Sequence, residues 1–159
     1  MPDKRSAGLL LFRRAADGRT EVLIGHMGGP FWASRSDAAW SIPKGEYGPE
    51  ETPEAAARRE FEEELGIRAP DGEPVALGEV RQANGKTVTV WAVEADLDPA
   101  LMVPGTFTME WPRGSGELRE FPELDRIGWF GFEEAAPLLV AGQREFLERL
   151  AAHLDGPGA

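Results

Sequence analysis

The stretch Gly45–Ile67, GEYGPEETPEAAARREFEEELGI, holds both the clearest helix signal in this chain and its densest run of acidic residues. Residues 49 to 66 predict a helix with Thr52 as N-cap, because a threonine side chain can accept a hydrogen bond from the first turn. Pro53 is tolerated in that turn, and Gly66 suits the position just beyond the C-terminus. The local signals therefore define both ends of this helix.

Three glutamates in the stretch share one face of the predicted helix. Glu63 and Glu64 follow Glu60 by three and four residues, and a helix turns about 100° per residue. Like charges at this spacing repel, and near a helix C-terminus they also meet the negative end of the dipole. These glutamates could simply form an acidic face in contact with solvent. Their convergence near the C-terminus of the helix instead favours a site for a hard divalent cation such as Mg²⁺ or Mn²⁺.

The residues just before the helix add a cation to these acids. In SIPKGEYGPEE, Gly45 marks a turn, Glu51 adds a carboxylate, and Lys44 lies beside the predicted metal site. A cation next to metal-binding acids suits a phosphate chain. Alternatively, Lys44 is an ordinary solvent-exposed lysine in a turn.

The same 45–67 segment resembles the Nudix box: G, five residues, E, seven residues, R-E, a bulky apolar residue, any residue, E-E, any residue, G, aliphatic. The residues that fill the fixed positions are Gly45, Glu51, Arg59, Glu60, Glu63, Glu64 and Gly66, with Phe61 and Ile67 at the apolar ones. The resemblance implies an α/β fold, an α/β/α sandwich with a mixed β-sheet. It also implies a metal-dependent enzyme, a pyrophosphohydrolase acting on acid anhydrides.

The resemblance assigns roles within the box. It implies metal binding by the carboxylates of Glu60, Glu63 and Glu64 and by the carbonyl of Gly45. Glu63 is also the candidate to orient or deprotonate the attacking water. Arg59 is expected to hold a glutamate in position, and Glu51 to support the junction of loop and helix. Glu63, Glu60, Arg59 and Glu51 are thus the candidate catalytic residues.

A further carboxylate is expected from outside the box, because related proteins often recruit one from a loop before a late tryptophan. In FPELDRIGWF, Glu123 lies six residues before Trp129 and is our choice for this fifth metal ligand. Glu120 and Asp125 are rivals. A solvated loop glutamate is an equally good interpretation of Glu123.

Candidate substrate contacts lie in predicted loops around the box. Phe31 and Trp32, in a Gly-rich loop, could stack on a base. Arg35 could contact phosphate, although surface arginine is the usual outcome, and Trp111 ends an alternating strand beside a charged loop. Together with Lys44 these four form the predicted substrate-binding set.

The resemblance narrows the substrate class without selecting a base. The Phe-Trp loop, PKGE and FPELDR together resemble a bacterial subgroup described as nucleoside triphosphate pyrophosphohydrolases. PKGE also resembles dinucleoside polyphosphate hydrolases, but the tyrosine that many of those carry some 16 residues past the box is missing. We expect hydrolysis of a phosphoanhydride in a nucleoside di- or triphosphate derivative, with a dinucleoside polyphosphate as the alternative.

Composition sets limits on partners and rival functions. The 159 residues predict a single domain over 1–159, with 155–159 as a frayed tail. A net charge of −11 disfavours a nucleic-acid duplex as partner.

With no cysteine, the chain lacks the residue that an isopentenyl diphosphate isomerase of this fold uses. A binding-only Nudix module is the remaining rival, and the intact box acids argue against it. No apolar run is long enough to span a membrane, so we expect a cytoplasmic protein.

The rest of the chain reads as strands and two more helices. Strands are predicted over 7–13, 21–27, 105–111 and 127–132, and a hairpin over 75–96 around an Asn84-Gly85 turn. Helices are predicted over 133–140 and 143–154. The segment 112–126, PRGSGELREFPELDR, is predicted as a charged loop. This order predicts a mixed sheet with helices on both faces.

Overall fold

The computed structural model describes residues 4–82 and 85–155. Its strands are β1 Arg5–Arg14, β2 Thr20–Met27, β3 Trp40–Ser41, β4 Lys44–Glu46, β5 Val75–Arg81, β6 Thr87–Glu94, β7 Thr106–Glu110, β8 Leu118–Pro122 and β9 Leu124–Gly131. Its helices are α1 Pro53–Leu65, α2 Phe132–Leu138 and α3 Arg144–Asp155.

Seven of these strands form one mixed sheet. Its main order is β3-β2-β1-β6-β5, with β4 also pairing with β1 and β9 also pairing with β2. The β1–β6 pair is parallel, and the other pairs are antiparallel. The predicted α/β class with a mixed sheet is confirmed.

Both faces of the sheet are covered, and β1 shows why. Leu9 and Leu11 point to the face where Phe61 of α1 is buried, whereas Leu10 points to the face where Phe146 of α3 is buried. Burying a large apolar side chain contributes about 1.5–3 kcal/mol, so each helix is held mainly by its apolar stripe. The expected α/β/α sandwich follows from these two cores.

Helix α1 begins and ends where the local signals predict. The Thr52 hydroxyl accepts a hydrogen bond from Ala55 N at 3.2 Å. Gly66 adopts a left-handed φ of 64° and donates its N–H to the carbonyl of Glu62 at 2.8 Å. The last turn of α1, with its glutamates, is thereby fixed beside β4.

The prediction of a loop over 112–126 is wrong. β8 pairs with β7 in a separate two-stranded antiparallel sheet, and β9 already begins at Leu124. The signal was missing because the first residues of β8, from Leu118 to Glu120, are exposed, so no alternating apolar pattern marks the strand. Main-chain pairing and the contact of Phe107 with Phe121, at 5.9 Å between ring centroids, hold this hairpin.

Two predicted features fall partly outside the described residues. The hairpin between β5 and β6 is present, but Asn84 of its predicted turn lies outside them. Asp155 is the last residue of α3, and 156–159 also lie outside the described part of the chain. No helix within 4–82 and 85–155 has the length and apolar character needed to cross a membrane.

Candidate active site

Strand β4 brings the main chain of Gly45 against a glutamate of α1. The predicted turn at Gly45 is wrong, because this residue pairs with β1 inside the strand. In the β1–β4 ladder Gly45 pairs with Ala7, which packs in the core on the α1 side of the sheet. A Cβ built on Gly45 would lie 2.1 Å from the carboxyl carbon of Glu60. Only glycine allows this approach, because real Cβ atoms do not come so close to another heavy atom. Glu60 and the Gly45 main chain are therefore immediate neighbours.

A cavity of about 430 Å³ opens beside this contact. The predicted site residues that line it are Lys44, Gly45, Glu60, Glu63, Glu64 and Glu123. They come from β4, from α1 and from the short connection between β8 and β9. The fold thus gathers the box glutamates and the proposed outer carboxylate around one space.

Glu64 is the most enclosed of the three helix glutamates at the cavity. Its Oε1 accepts a hydrogen bond from the main-chain N–H of Lys44 at 2.7 Å. Burial raises the pKa of Glu64 to about 8, although the Lys44 N–H acts in the opposite direction. Without a cation the fold therefore favours the neutral form of this carboxyl.

Arg59 connects three other carboxylates. It donates from Nε and Nη2 to the two oxygens of Glu51, at 2.7 and 2.8 Å. Its Nη1 donates to Glu60 Oε1 at 2.8 Å and to Glu63 Oε2 at 3.1 Å. The Arg59 hydrogen bonds lower the pKa of Glu51, whereas burial raises the pKa of Glu60 despite the arginine. One guanidinium thus sets the spacing of the two helix carboxylates.

Lys44 is a largely buried cation at the edge of the same cavity. Burial lowers its pKa, an effect opposed by the nearby carboxylate of Glu64 and reinforced by the charge of Lys86. A desolvated ammonium interacts more strongly with an anion than one in bulk water. Its position therefore suits contact with a phosphate.

The position of Glu123 distinguishes it from its two rivals. Its main-chain N–H donates to Gly105 O at 2.8 Å, and its carbonyl accepts from Gly28 N at 2.9 Å, so both sides of the residue are anchored. Asp125 is instead paired with His26 Nδ1 at 2.9 Å. Glu120 lies on the exposed strand β8. Of the three, Glu123 is the one that lines the cavity of the helix glutamates.

The donor set fits a hard divalent cation, although its side chains are not gathered around one point. Within 4–82 and 85–155, no three His, Cys, Asp or Glu side chains are already arranged to enclose a metal. Glu60 and Glu63 are instead hydrogen-bonded to Arg59. The oxygen donors around the cavity, the buried carboxyl of Glu64 and the close approach at Gly45 nevertheless match what Mg²⁺ and Mn²⁺ require.

A second cavity, of about 380 Å³, shares Lys44 with the first. Trp32 lines it together with polar side chains that include Gln82 and Gln143. Sequence reasoning had singled out Trp32 and Lys44, but it had no signal for the two glutamines, which lie far apart in the chain. The two cavities place an aromatic ring and a cation next to the acidic cluster.

The other candidate substrate contacts do not line either cavity. Phe31 is 59% exposed, and the side chain of Arg35 is also exposed, with its carbonyl accepting from His26 Nε2 at 2.6 Å. Trp111 follows β7, and its main-chain N–H donates a hydrogen bond to Glu117 O at 2.9 Å. As described, none of the three contributes to the lining of either cavity.

Lys86 is a cavity residue that sequence reasoning missed. It precedes β6 and lines the 430 Å³ cavity together with the acidic cluster. Its proximity to Lys44 depends on the parallel pairing of β6 with β1, which joins residues about 80 positions apart. Local patterns do not reveal such a pairing.

The match to known sequences extends far beyond the box. The family model described as NUDIX domain covers residues 2–150. The chain belongs to the NUDIX domain family. The family match thus includes the Nudix box and the strands and helices on both sides of it, and the cavity of the glutamates lies at the box itself.

The sequence relative described next matches only part of this Nudix domain. An RNA pyrophosphohydrolase of Pseudomonas putida is 41% identical over 56 residues, which are 35% of this chain and 35% of that protein. The alignment therefore spans about a third of the length of the relative.

Solved Nudix structures share the whole architecture. An Ap4A hydrolase of C. elegans in a binary complex aligns with a TM-score of 0.67 at 22% identity, covering 96% of this chain and 99% of the other. The Nudix hydrolase RenU of M. smegmatis aligns with a TM-score of 0.55 at 28% identity, covering 97% of this chain and 89% of the other. These likenesses support the fold of the Nudix domain.

Proposed function

We propose that this Nudix domain hydrolyses a phosphoanhydride bond in a nucleoside di- or triphosphate derivative, with Mg²⁺ or Mn²⁺ as cofactor. The observation that carries the proposal is the gathering of Glu60, Glu63 and Glu64 around one cavity with Gly45 and Lys44. Hydrolysis of an anhydride needs an activated water and neutralised phosphate oxygens. A bound divalent cation supplies both.

The residues around the cavity divide this work. Glu60, Glu64 and Glu123, with the carbonyl of Gly45, hold the cation through oxygen atoms, and Glu63 completes the set. The Glu63 side chain is 59% exposed, whereas that of Glu60 is 15% exposed, so Glu63 is the better placed to meet a water entering from solvent. Its second role is therefore to orient that water or take its proton.

Arg59 and Glu51 act through these carboxylates. The two-point contact between Arg59 and Glu51 fixes the guanidinium, which then holds Glu60 and Glu63 by the same nitrogen. Fixed charge partners of this kind reduce the rearrangement that catalysis needs. We assign Arg59 to positioning Glu60 and Glu63, and Glu51 to anchoring Arg59.

The substrate extends from the acidic cluster past Lys44. Lys44 lines both cavities and is assigned to a phosphate, and Trp32 in the second cavity is assigned to the rest of the molecule. Phe31, Arg35 and Trp111 remain candidate contacts for a substrate that reaches beyond the two cavities. The partner is thus a small nucleotide, and with a net charge of −11 a nucleic-acid duplex is disfavoured.

Two narrower candidates have separate support. The partial match to an RNA pyrophosphohydrolase favours an RNA as the molecule that carries the anhydride. The paired cavities, with Trp32 available for stacking, also suit a dinucleoside polyphosphate. A nucleotide-binding module without turnover is the alternative from another class.

A substrate panel tests these proposals in one experiment. Purified protein is incubated with nucleoside triphosphates, oxidised nucleotides, dinucleoside polyphosphates, ADP-ribose, nucleotide sugars and 5′-triphosphorylated RNA, with Mg²⁺ and Mn²⁺ in turn. We expect phosphate or pyrophosphate release from at least one class, abolished by excess chelator and restored by metal. Turnover that persists in chelator would contradict the metal assignment. Binding without turnover across the panel would favour the binding module.

A further inference from the structure

A buried amide connects the start of α3 to the strand segment that leads into the active site. Gln143 is 1% exposed and lies among the apolar residues of the α3-side core. Its Oε1 accepts a hydrogen bond from Ile42 N at 2.8 Å, and its Nε2 donates to Ser41 Oγ at 2.9 Å. Ser41 Oγ in turn donates to the carbonyl of Ile42 at 2.8 Å. All polar atoms of this amide and hydroxyl are thus directed at two adjacent residues.

The amide replaces a strand partner that the sheet does not provide. β3 is only two residues long, and its ladder with β2 ends at the pair Gly25–Ser41. The N–H of Ile42 lies just beyond that ladder in a fully buried position. A buried main-chain N–H without a partner costs about 1–3 kcal/mol. Gln143 therefore fixes the main chain where β3 stops.

The segment that Gln143 holds continues directly into the catalytic cavity. Pro43 accepts a hydrogen bond from Leu9 N at 3.1 Å through its carbonyl. Lys44 donates its main-chain N–H to Glu64 at 2.7 Å. At the next residue, Gly45, the separation from Glu60 leaves no room even for a methyl group. The main chain that Gln143 holds at Ile42 thus leads, two and three residues later, to the contacts with both glutamates.

We propose that Gln143 is a positioning residue, which holds Ser41 and Ile42 so that the main chain of Lys44 and Gly45 meets Glu64 and Glu60 where the cation is held. The inference rests on the proposed function for the identity of the site. Side chains that orient metal ligands from outside the ligand set commonly change metal affinity or activity by about 10–100-fold when removed.

A purely structural role for Gln143 makes a different prediction. In that case a variant loses stability, and each folded molecule keeps its metal affinity. Gln143→Met separates the two roles, because methionine has a similar length and packs in an apolar core but forms neither hydrogen bond. Leu150→Ala is the control for lost stability, since Leu150 is fully buried in the same core on α3, the helix that follows Gln143, and has no polar atom that could hold Ser41 or Ile42.

The test measures Mn²⁺ affinity of the whole chain by titration calorimetry, without substrate, together with thermal stability. We expect Gln143→Met to bind Mn²⁺ at least about tenfold more weakly than wild type, and Leu150→Ala to stay within about twofold despite a lower melting temperature. Equal Mn²⁺ affinities in wild type and Gln143→Met would overturn the proposal, and so would a comparable loss in Leu150→Ala.

A milder variant keeps the test decisive if Gln143→Met does not fold. Ser41→Ala removes the partner of the amide Nε2 and the hydrogen bond of the hydroxyl to the Ile42 carbonyl, but it keeps the bond from Ile42 N to Gln143 Oε1. We expect about threefold weaker Mn²⁺ binding with a nearly unchanged melting temperature; unchanged affinity would overturn the proposal. Because Mn²⁺ binding is measured without substrate, a wild-type protein that binds Mn²⁺ and hydrolyses nothing would contradict the proposed hydrolysis alone. A wild-type protein without Mn²⁺ affinity would overturn both.

Discussion

Helices α1 and α3 pack on opposite faces of the same sheet and carry the same kind of ion pair in opposite order. In α3, Glu145 precedes Arg149 by four residues, and the two are paired. In α1, Arg59 precedes Glu63 by four residues, at 3.1 Å. A glutamate on the N-terminal side of its partner is the more stabilising order, because it also agrees with the helix dipole.

This difference indicates that α3 is arranged for stability, whereas α1 is arranged for chemistry. α3 has Glu145 in its first turn and His153 in its last, as the dipole favours, although it also begins at Arg144 and ends at Asp155. α1 instead ends in Glu62, Glu63 and Glu64, and burial raises the pKa of Glu60 and of Glu64. Carboxylates at the C-terminal end of a helix, which is the negative end of its dipole, are explained if a cation neutralises them. We propose such a cation for the cavity beside Gly45.

The largest expected effect comes from removing one charge in α1. Glu63→Gln is expected to reduce kcat by about 10²–10⁴-fold, because the amide cannot accept a proton or bind a cation as a carboxylate does. The fold should be kept, since the Glu63 side chain is 59% exposed. Steady-state assays on the substrate found in the panel give kcat, and circular dichroism checks the fold.

The matched change in α3 is the control for this variant. Glu145→Gln removes the same charge from the partner of an arginine four residues away, and its kcat should stay within about twofold of wild type. Near-wild-type turnover by Glu63→Gln would show that Glu63 is not the catalytic glutamate. A large loss in Glu145→Gln would show that the assay responds to net charge or folding rather than to the site.

The next effect tests the close approach between β4 and α1. In Gly45→Ala the new methyl group would lie 2.1 Å from the carboxyl carbon of Glu60, so the flexible end of that side chain must swing away from β4. We expect weaker Mg²⁺ binding, because Glu60 is displaced from its place beside the Gly45 main chain. The loss in the free energy of unfolding should be at most about 1 kcal/mol, the lower end of overpacking penalties, because the side-chain end can move without separating strand and helix. Urea denaturation and metal titration measure the two quantities.

Gly131→Ala is the control for added volume at a glycine. A Cβ at Gly131 would lie 3.4 Å from Glu134 Oε1, an ordinary contact, at the start of α2. Its effect on Mg²⁺ binding should be negligible. If Gly45→Ala bound Mg²⁺ as tightly as Gly131→Ala, the separation between Gly45 and Glu60 would not matter for the site.

A smaller effect follows from the pKa of Glu64. Its pKa is about 8 in the fold and 4.5 as the ordinary value, so between these values the folded protein keeps a proton that the unfolded chain has released. The metal-free protein should therefore lose stability as pH rises through this window, by at most about 1.4 kcal/mol per pH unit. Denaturation in chelator at several pH values measures the slope.

Glu64→Gln isolates this contribution, because glutamine does not titrate. The pH slope of the variant should be flatter than that of wild type across the same window. Mg²⁺ should also reduce the wild-type loss at the alkaline end, since it binds the ionised carboxylate. Equal slopes in wild type and Glu64→Gln would contradict the raised pKa.

The sequence was sufficient for α1 because its signals are local. The Thr52 cap, the Gly66 terminus and the shared face of the glutamates all depend on residues within a few positions of each other. The strand β8 escaped prediction because it lacks a buried face, and Lys86 and Gln143 escaped because parallel pairing and a contact across 101 residues bring them to the site. Long-range pairing depends on the whole sheet, which no short window contains.

The smallest expected effect completes the comparison of the two helices. Glu145→Gln should lower the free energy of unfolding by about 0.3–0.5 kcal/mol, the usual contribution of such a pair, because Arg149 keeps its hydrogen bond to Leu77 O at 2.8 Å. Glu63→Gln, in the absence of metal, should leave stability nearly unchanged, since the weakened pair with Arg59 is offset by relief of the repulsion from Glu60. Urea denaturation of both variants in chelator measures the difference. If Glu63→Gln destabilised the metal-free protein as much as Glu145→Gln does, the acids of α1 would be stabilising in themselves, and no cation would be needed to explain them.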